Sequence, residues 1–288
     1  MADGYDAADN GKRSYDEAIL AMRAKHIKAK KVVHIGDHEL ILGDCLKVMS
    51  ELGRVDHIFT DPPYEAIMHA AKSGAARRIR TDGRCPLSAL NFESIDAIRE
   101  QVVELCAERA DGWAGFFCAP EGVGRWADAI NNSSAKYKRA CVWIKPDSTP
   151  QLNGQGPAMG AENFIVAWCG SGFARWNAGG KRGVYTHLCN PPTRHGKHPT
   201  EKPVSLMREI LVDFTCQGQT ILDPFMGSGT TGVAAVQLGR CFTGIELDPD
   251  YFEIAVKRVT EAYNQPSLFP AEKPKPPKNG DMFAEVSA

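Results

Sequence analysis

The chain has 288 residues, 34 Lys and Arg against 35 Asp and Glu for a formal net charge of -1, and 43% hydrophobic content. This suffices for one large α/β core with a small insertion, and it excludes a whole-molecule attraction for polyanions, so any nucleic acid binding needs a local basic surface. Apolar runs fall short of the roughly 20 residues a membrane span requires, and nine cysteines without a Cys-x-x-Cys pair or a secretory leader predict a reduced, cytoplasmic protein with no membrane role.

Residues 1–34 read as an outer arm in which Tyr15 to Lys31 can form a basic amphipathic helix. From His38 the run Leu40-Ile41-Leu42 predicts a strand that ends at Gly43-Asp44, followed by a helix over 45–52 and a strand over 55–60. That strand runs out into Asp61-Pro62-Pro63-Tyr64, which places a carboxylate, two rigid prolines and an aromatic ring together at a strand end. A basic loop bearing Arg77, Arg78, Arg80 and Arg84 follows. A helix over 94–109, a strand over 113–118, a helix near 121–131 and a strand over 140–144 then continue the winding.

The rhythm breaks at Lys145-Pro146. Residues 146–198 are rich in Pro, Gly, Asn and His around one clear strand, 163–168, and read as a loop-rich insertion suited to substrate contacts. Winding resumes with a helix over 203–215, a strand over 220–223, a helix over 230–238 stopped by Gly239, a strand over 241–246 and a helix over 249–263. The Pro- and Lys-rich residues 264–288 are expected to form a disordered tail.

The second strand-to-helix turn is Asp223-Pro224-Phe225-Met226-Gly227-Ser228-Gly229-Thr230. Its glycines let a ligand approach the backbone, and the helix that follows offers unpaired N–H groups. Such turns are also common as plain structure. Glu246, at the end of the next strand, stands about 20 residues on, where an acid can hydrogen-bond ribose hydroxyls; Asp248 is a second candidate, or simply the cap of the next helix. No phosphate-loop Gly-Lys-Ser/Thr is present, which argues against a nucleoside triphosphate. Cys189, His195 and His198 lack the paired spacing of a metal site, and no metal is expected.

Together, Thr60-Asp61-Pro62-Pro63-Tyr64, the segment 223–230, and His198-Pro199-Thr200-Glu201-Lys202-Pro203 resemble the S-adenosylmethionine-dependent DNA amino-methyltransferases. The tetrapeptide precedes the glycine turn, as in that family's beta group, where a recognition segment lies between the two. The resemblance spans about residues 35–263 and implies a Rossmann-like methyltransferase fold: a wound mixed sheet with helices on both faces, the small insertion being the target-recognition element. It implies that Asp61, Pro62, Pro63 and Tyr64 are catalytic. It further implies that Asp44, Thr200, Lys202, Asp223, Pro224, Phe225, Gly227, Ser228, Gly229, Thr230, Glu246 and Asp248 serve the cofactor, S-adenosyl-L-methionine. Asp44 could also be only a helix cap, and Lys202 only an exposed first-turn lysine.

In the family mechanism the Asp61 carboxylate and the Pro62 carbonyl accept the hydrogens of an exocyclic amine while Tyr64 stacks on a flipped base. Asp at the head of the tetrapeptide favours adenine N6, with cytosine N4 as the alternative; a non-catalytic DNA-binding or clamp-associated protein on the same fold is a further one. Arg77, Arg78, Arg80 and Arg84, with Arg175, Lys181 and Arg182 of the insertion, are the expected contacts to double-stranded DNA. The tail's Gln265-Pro266-Ser267-Leu268-Phe269 resembles the peptide with which bacterial DNA-processing proteins dock on the sliding clamp, and beta-group relatives suggest a homodimer.

Overall fold

A computed structural model describes residues 19–63, 95–149, 156–189 and 201–265. Nine strands form one sheet: β1 (Lys31–Ile35), β2 (His38–Leu42), β3 (His57–Thr60), β4 (Trp113–Cys118), β5 (Lys136–Ile144), β6 (Ala161–Trp168), β7 (Val184–Thr186), β8 (Thr220–Asp223) and β9 (Cys241–Glu246). Their spatial order is β1-β2-β9-β8-β3-β4-β6-β5-β7. The central run from β2 to β4 is parallel throughout. Only β1 and β6 run against their neighbours.

Among the described residues, besides a helical segment over 19–26, six helices cover the faces: α1 (Cys45–Glu51), α2 (Arg99–Arg109), α3 (Val123–Asn131), α4 (Val204–Phe214), α5 (Thr230–Gln237) and α6 (Pro249–Asn264), with 3-10 turns at Ile95–Ala97 and Pro120–Gly122. One core layer packs Val48 and Met49 of α1, Val102 of α2 and Trp126 of α3 beneath the sheet. The other packs Leu206 and Ile210 of α4, Val233 of α5 and Phe252 of α6. With both faces covered, β4 is buried along its whole length, as its unbroken Trp-Ala-Gly-Phe-Phe-Cys run requires. Among the described residues no helix is long and apolar enough to cross a membrane.

Three expectations are corrected. The helix expected through Lys31 is helical only over 19–26 in the described chain; Lys28 takes a positive φ of 55°, and Val32-Val33-His34-Ile35 then pairs with β2. The supposed arm is thus joined to the domain, since Ala24 and Ile27 are buried and its last residues are an edge strand. The strand inside the presumed insertion is no satellite: β6 lies between β4 and β5 and pairs with both. The short β7, beside β5, has no counterpart in the sequence reading.

Because β3 leads on to β4 on one side while β8 leads to β9 on the other, the crossovers diverge between β3 and β8. A crevice opens at such a point, outside the carboxyl ends of the strands. At the opposite end His57 ties the strands together, its Nε2 paired with Gln219 Oε1 at 3.0 Å and its Nδ1 accepting from Trp113 N at 2.9 Å. Mid-strand, Gly115 leaves room for the buried ring of Phe59 on β3: a Cβ there would stand 2.6 Å from Phe59 Cδ1. Gly115→Ala is expected to destabilise the fold by roughly 1–3 kcal/mol, because the ring has nowhere to retreat. An unchanged urea midpoint would contradict this packing.

Candidate active site

Four acidic residues gather at the carboxyl edge of the parallel strands: Asp44 just past β2, Asp61 just past β3, Asp223 ending β8 and Glu246 ending β9. Each has a distinct environment. Asp44 caps α1, its Oδ1 accepting from Leu46 N at 3.0 Å and Lys47 N at 3.4 Å. Asp248 caps α6 in the same way, accepting from Asp250 N and Tyr251 N. The capping alternatives raised by the sequence are therefore both realised.

Asp223 is buried. Its Oδ1 accepts from Thr60 Oγ1 at 2.6 Å across the divergence point and from Phe225 N at 3.1 Å. Burial pushes its carboxyl up to about 6, against the pull of hydrogen bonds from Thr60, Thr231 and the Phe225 backbone. It shapes the turn rather than presenting itself to a ligand.

Past Pro224 and Phe225 the chain folds back so that Met226 N donates to Ile245 O and Gly227 N to Glu246 Oε2, the latter at 2.8 Å. Gly227 and Gly229 hold φ of 52° and 82°, in the left-handed region. A Cβ on Gly229 would also press to 3.0 Å against Ala255 of α6. Glu246 Oε1 takes the N–H groups of Leu247 and Asp248, and burial raises its carboxyl above the ordinary value. Oε2, which takes only Gly227 N, keeps one acceptor site for a hydroxyl donor, while Oε1 is filled by its two N–H groups.

Past β3, Asp61 Oδ2 accepts from Lys202 Nζ at 2.5 Å. Asp61 Oδ1 is buried and has no hydrogen-bond partner among the described residues. Burial raises the Asp61 pKa, Lys202 opposes the rise and Glu162 adds to it. Pro62 is buried and Pro63 half-buried beside it; Tyr64 lies outside the described residues, as does Thr200. Lys202 is 6% exposed, so it is neither a surface lysine nor held by the glycine turn. Its ammonium is turned on Asp61 and Glu162.

Several participants carried no signal in the pattern. Glu162 of β6 meets Lys202 at 3.3 Å and pairs closely with Lys145, which follows β5. Arg258 of α6 donates to Ser228 O and Oγ at 2.7 Å each and to Thr230 Oγ1 at 3.4 Å, while its other end pairs with Glu201 at 2.8 Å. Ser228 and Thr230 are thus anchored from behind by a buried arginine.

The basic residues fare unevenly. Arg77, Arg78, Arg80 and Arg84 lie outside the described residues. Arg175 is exposed, but its carbonyl accepts from Trp113 Nε1, and Trp113 starts β4. It stands at the end of the sheet opposite Asp61, because the reversed β6 carries the chain away from the site. Lys181 is engaged by Glu209 at 2.7 Å and by Asp213, which neutralise its charge. Neither suits a phosphate near Asp61. Arg182 is exposed just before β7 at the sheet margin.

The model of a DNA methylase family, N6_N4_Mtase, matches residues 55–257, which takes in both ends of this crevice. The chain belongs to that family. The Type II methyltransferase M2.LlaDCHI of Lactococcus lactis subsp. cremoris is 50% identical over 239 residues, covering 77% of this chain and 89% of that protein. M2.MboI of Moraxella bovis is 47% identical over 243 residues, 76% of this chain and 86% of that one. Among solved structures, the M1.HpyAVI–SAM complex aligns with a TM-score of 0.59 at 25% identity over 76% of this chain and 98% of its own.

The protein is an S-adenosylmethionine-dependent DNA methyltransferase with the Rossmann-like fold of its class. Its residues fit that cofactor: a left-handed glycine turn at the start of α5 faces a strand-end carboxylate with one acceptor site left on Oε2, one strand from Asp61 Oδ1, which has no partner among the described residues.

The methyltransferase should show Asp223 in its pH-dependent stability. A carboxyl raised to about 6 in the fold binds its proton more tightly there than in the unfolded chain, so its contribution weakens as pH rises from about 4 to about 6. The loss is on the order of 3 kcal/mol in total. Asp223→Asn has no proton to lose, and its stability relative to wild type should climb over that interval and then level off. Parallel stability-pH curves would show that Asp223 does not titrate this way.

Proposed function

We propose that the enzyme transfers a methyl group to adenine N6 of a base drawn out of double-stranded DNA, and that Asp61 is the side chain that receives the amine. The observation that carries this is the divided use of its carboxylate: Oδ2 is held by Lys202 while Oδ1 is buried with its lone pairs unassigned. An exocyclic amine is a weak nucleophile because its lone pair is delocalised into the ring. Asp61 Oδ1 and the Pro62 carbonyl, acting as two fixed acceptors, would draw both hydrogens to one side and favour a pyramidal nitrogen.

Pro62 and Pro63 keep those carbonyls in place, and Tyr64 supplies a ring for the extruded base; stacking worth roughly 1–3 kcal/mol offsets much of the cost of flipping. Glu246 would hold ribose hydroxyls, with Asp248 and Asp44 toward the adenine end, Pro224 and Phe225 beside the turn, and the Gly227–Thr230 backbone and Thr200 toward the amino-acid end. Bound there, S-adenosylmethionine supplies a methyl group on an electrophilic sulfonium. No metal is needed for that transfer.

Arg77, Arg78, Arg80, Arg84 and Arg182 are the proposed phosphate contacts, and residues 146–198 the target-reading segment. The chain order, with the amine site before the glycine turn, supports the beta group, and the Type II relatives support a restriction-modification setting. Docking of Gln265–Phe269 on a sliding clamp and a homodimer rest on resemblance; residues 266–269 lie outside the described chain. Deleting 264–288 should abolish clamp pull-down and spare oligonucleotide methylation, and equal capture with and without the tail would sink the docking.

Nucleoside digestion and mass spectrometry of methylated DNA test the central reading. N6-methyladenine is expected; N4-methylcytosine would overturn the base assignment but not the site. Asp61→Asn should cut kcat by about 10²-fold or more while leaving cofactor affinity near wild type.

A further inference from the structure

At the amine acceptor stands a row of four charges of alternating sign, three of them nearly buried and the first, Asp61, with its side chain 28% exposed. Asp61 follows β3, Lys202 precedes α4, Glu162 lies on β6 opposite Trp143, and Lys145 follows β5. Lys202 Nζ sits 2.5 Å from Asp61 Oδ2, 3.3 Å from Glu162 Oε2 and 5.1 Å from the centre of the Phe117 ring. Lys145 takes Glu162 Oε1 and lies 4.7 Å from the Trp143 ring. Charges so far from water persist only where each is answered by its neighbours.

We propose that Glu162, acting through Lys202, is a positioning residue that fixes which oxygen of Asp61 is spent on the lysine and which is offered to the amine. An ammonium on a four-carbon stem can turn its three donors in many directions. With Asp61 on one side, Glu162 on another and the Phe117 ring beneath, Lys202 has one place to stand. Its hold on Oδ2 leaves Oδ1 as the oxygen without a hydrogen-bond partner among the described residues. Remove the negative charge at 162 and the row passes from neutral to a net +1, with both lysines now drawing on Asp61. That carboxylate becomes a poorer acceptor and ionises more readily.

The groups that face Asp61 are Lys202 ahead of α4, Glu162 from β6, Lys145 after β5 and Asp223 at the end of β8. Glu162 raises the Asp61 pKa and Lys145 lowers it. Asp61 works as an ionised acceptor, so activity is present above its pKa and lost as pH falls through it. The two neighbours must therefore move the acid limb of kcat/KM in opposite directions.

The inference rests on Asp61 as amine acceptor, so labelled-methyl transfer to unmethylated genomic DNA is followed against pH for the full chain and for Glu162→Gln, Lys145→Met and Asp61→Asn. Glu162→Gln should lower kcat on the order of tenfold and shift the acid limb to lower pH, with cofactor affinity by titration unchanged. Lys145→Met should shift the limb to higher pH, and Glu162→Asp, which keeps the charge, should leave it in place. A merely structural Glu162 would cost activity without moving the limb, and that outcome, or shifts of the same sign in both variants, overturns the proposal. Should Glu162→Gln fail to fold, an unmoved limb in Lys145→Met is sufficient to reject it. Full activity of Asp61→Asn would instead remove the acceptor reading itself.

Discussion

The hydrogen bond from Thr60 Oγ1 to Asp223 Oδ1 is the contact on which the site depends. It joins the last residue of β3 to the last residue of β8 where the crossovers diverge, just past the end of the ladder that pairs the two strands. It also settles how two carboxylates one residue apart on neighbouring strand ends can coexist. Burial raises both carboxyls, Asp223 to about 6, but Asp223 is surrounded by neutral donors whereas Asp61 has an ammonium at its back that opposes the rise. Environment thus separates them: one carboxyl is spent on the turn, the other is set against a buried ammonium.

Around that bond, the short segment 201–203 acts as a strut. Glu201 and Lys202 are consecutive, yet they reach opposite halves of the site. Glu201 pairs with Arg258 behind the glycine turn, and Lys202 pairs with Asp61 at the amine end. Pro203, with φ of -65°, stiffens the entry to α4 directly after them. Buried ion pairs of this kind add little net stability, since the desolvation of each ion consumes most of the attraction. What they give is a fixed separation between the glycine turn and the acceptor carboxylate, which a transfer between two bound groups requires.

The parts of this arrangement that a sequence can reveal are those governed by local order. Apolar runs ending in a carboxylate gave β8 and β9 to the residue, and the glycines of 227–229 marked the turn. Lys31–Ile35 was hidden because it follows an Ala- and Lys-rich stretch that reads as a continuing helix, and its partner β2 becomes evident only in pairing. Glu162 sits within a hydrophobic strand, and Arg258 follows Lys257 on an amphipathic helix, where a basic residue reads as solvated surface. Its partner Glu201 is 57 residues away. Arg175 was misplaced for a related reason: charge is legible in a sequence, but the end of the sheet that bears it is not.

That last point turns on the direction of β6. In a purely parallel sheet only the residues after each strand's end reach the carboxyl edge, and they arrive on loops. A reversed strand begins at that edge. β6 therefore brings Glu162 to it from within a hydrogen-bonded ladder, with β4 on one side and β5 on the other. Lys145, one residue past β5, is pinned to the same ladder through Gly160 O. Two of the charges behind Asp61, Glu162 and Lys145, are thus held by sheet hydrogen bonds. The stretch 146–198 is therefore not loop alone: through β6 it contributes a rigid back wall beside Asp61, and only the residues outside that ladder are free to change in length without moving Glu162.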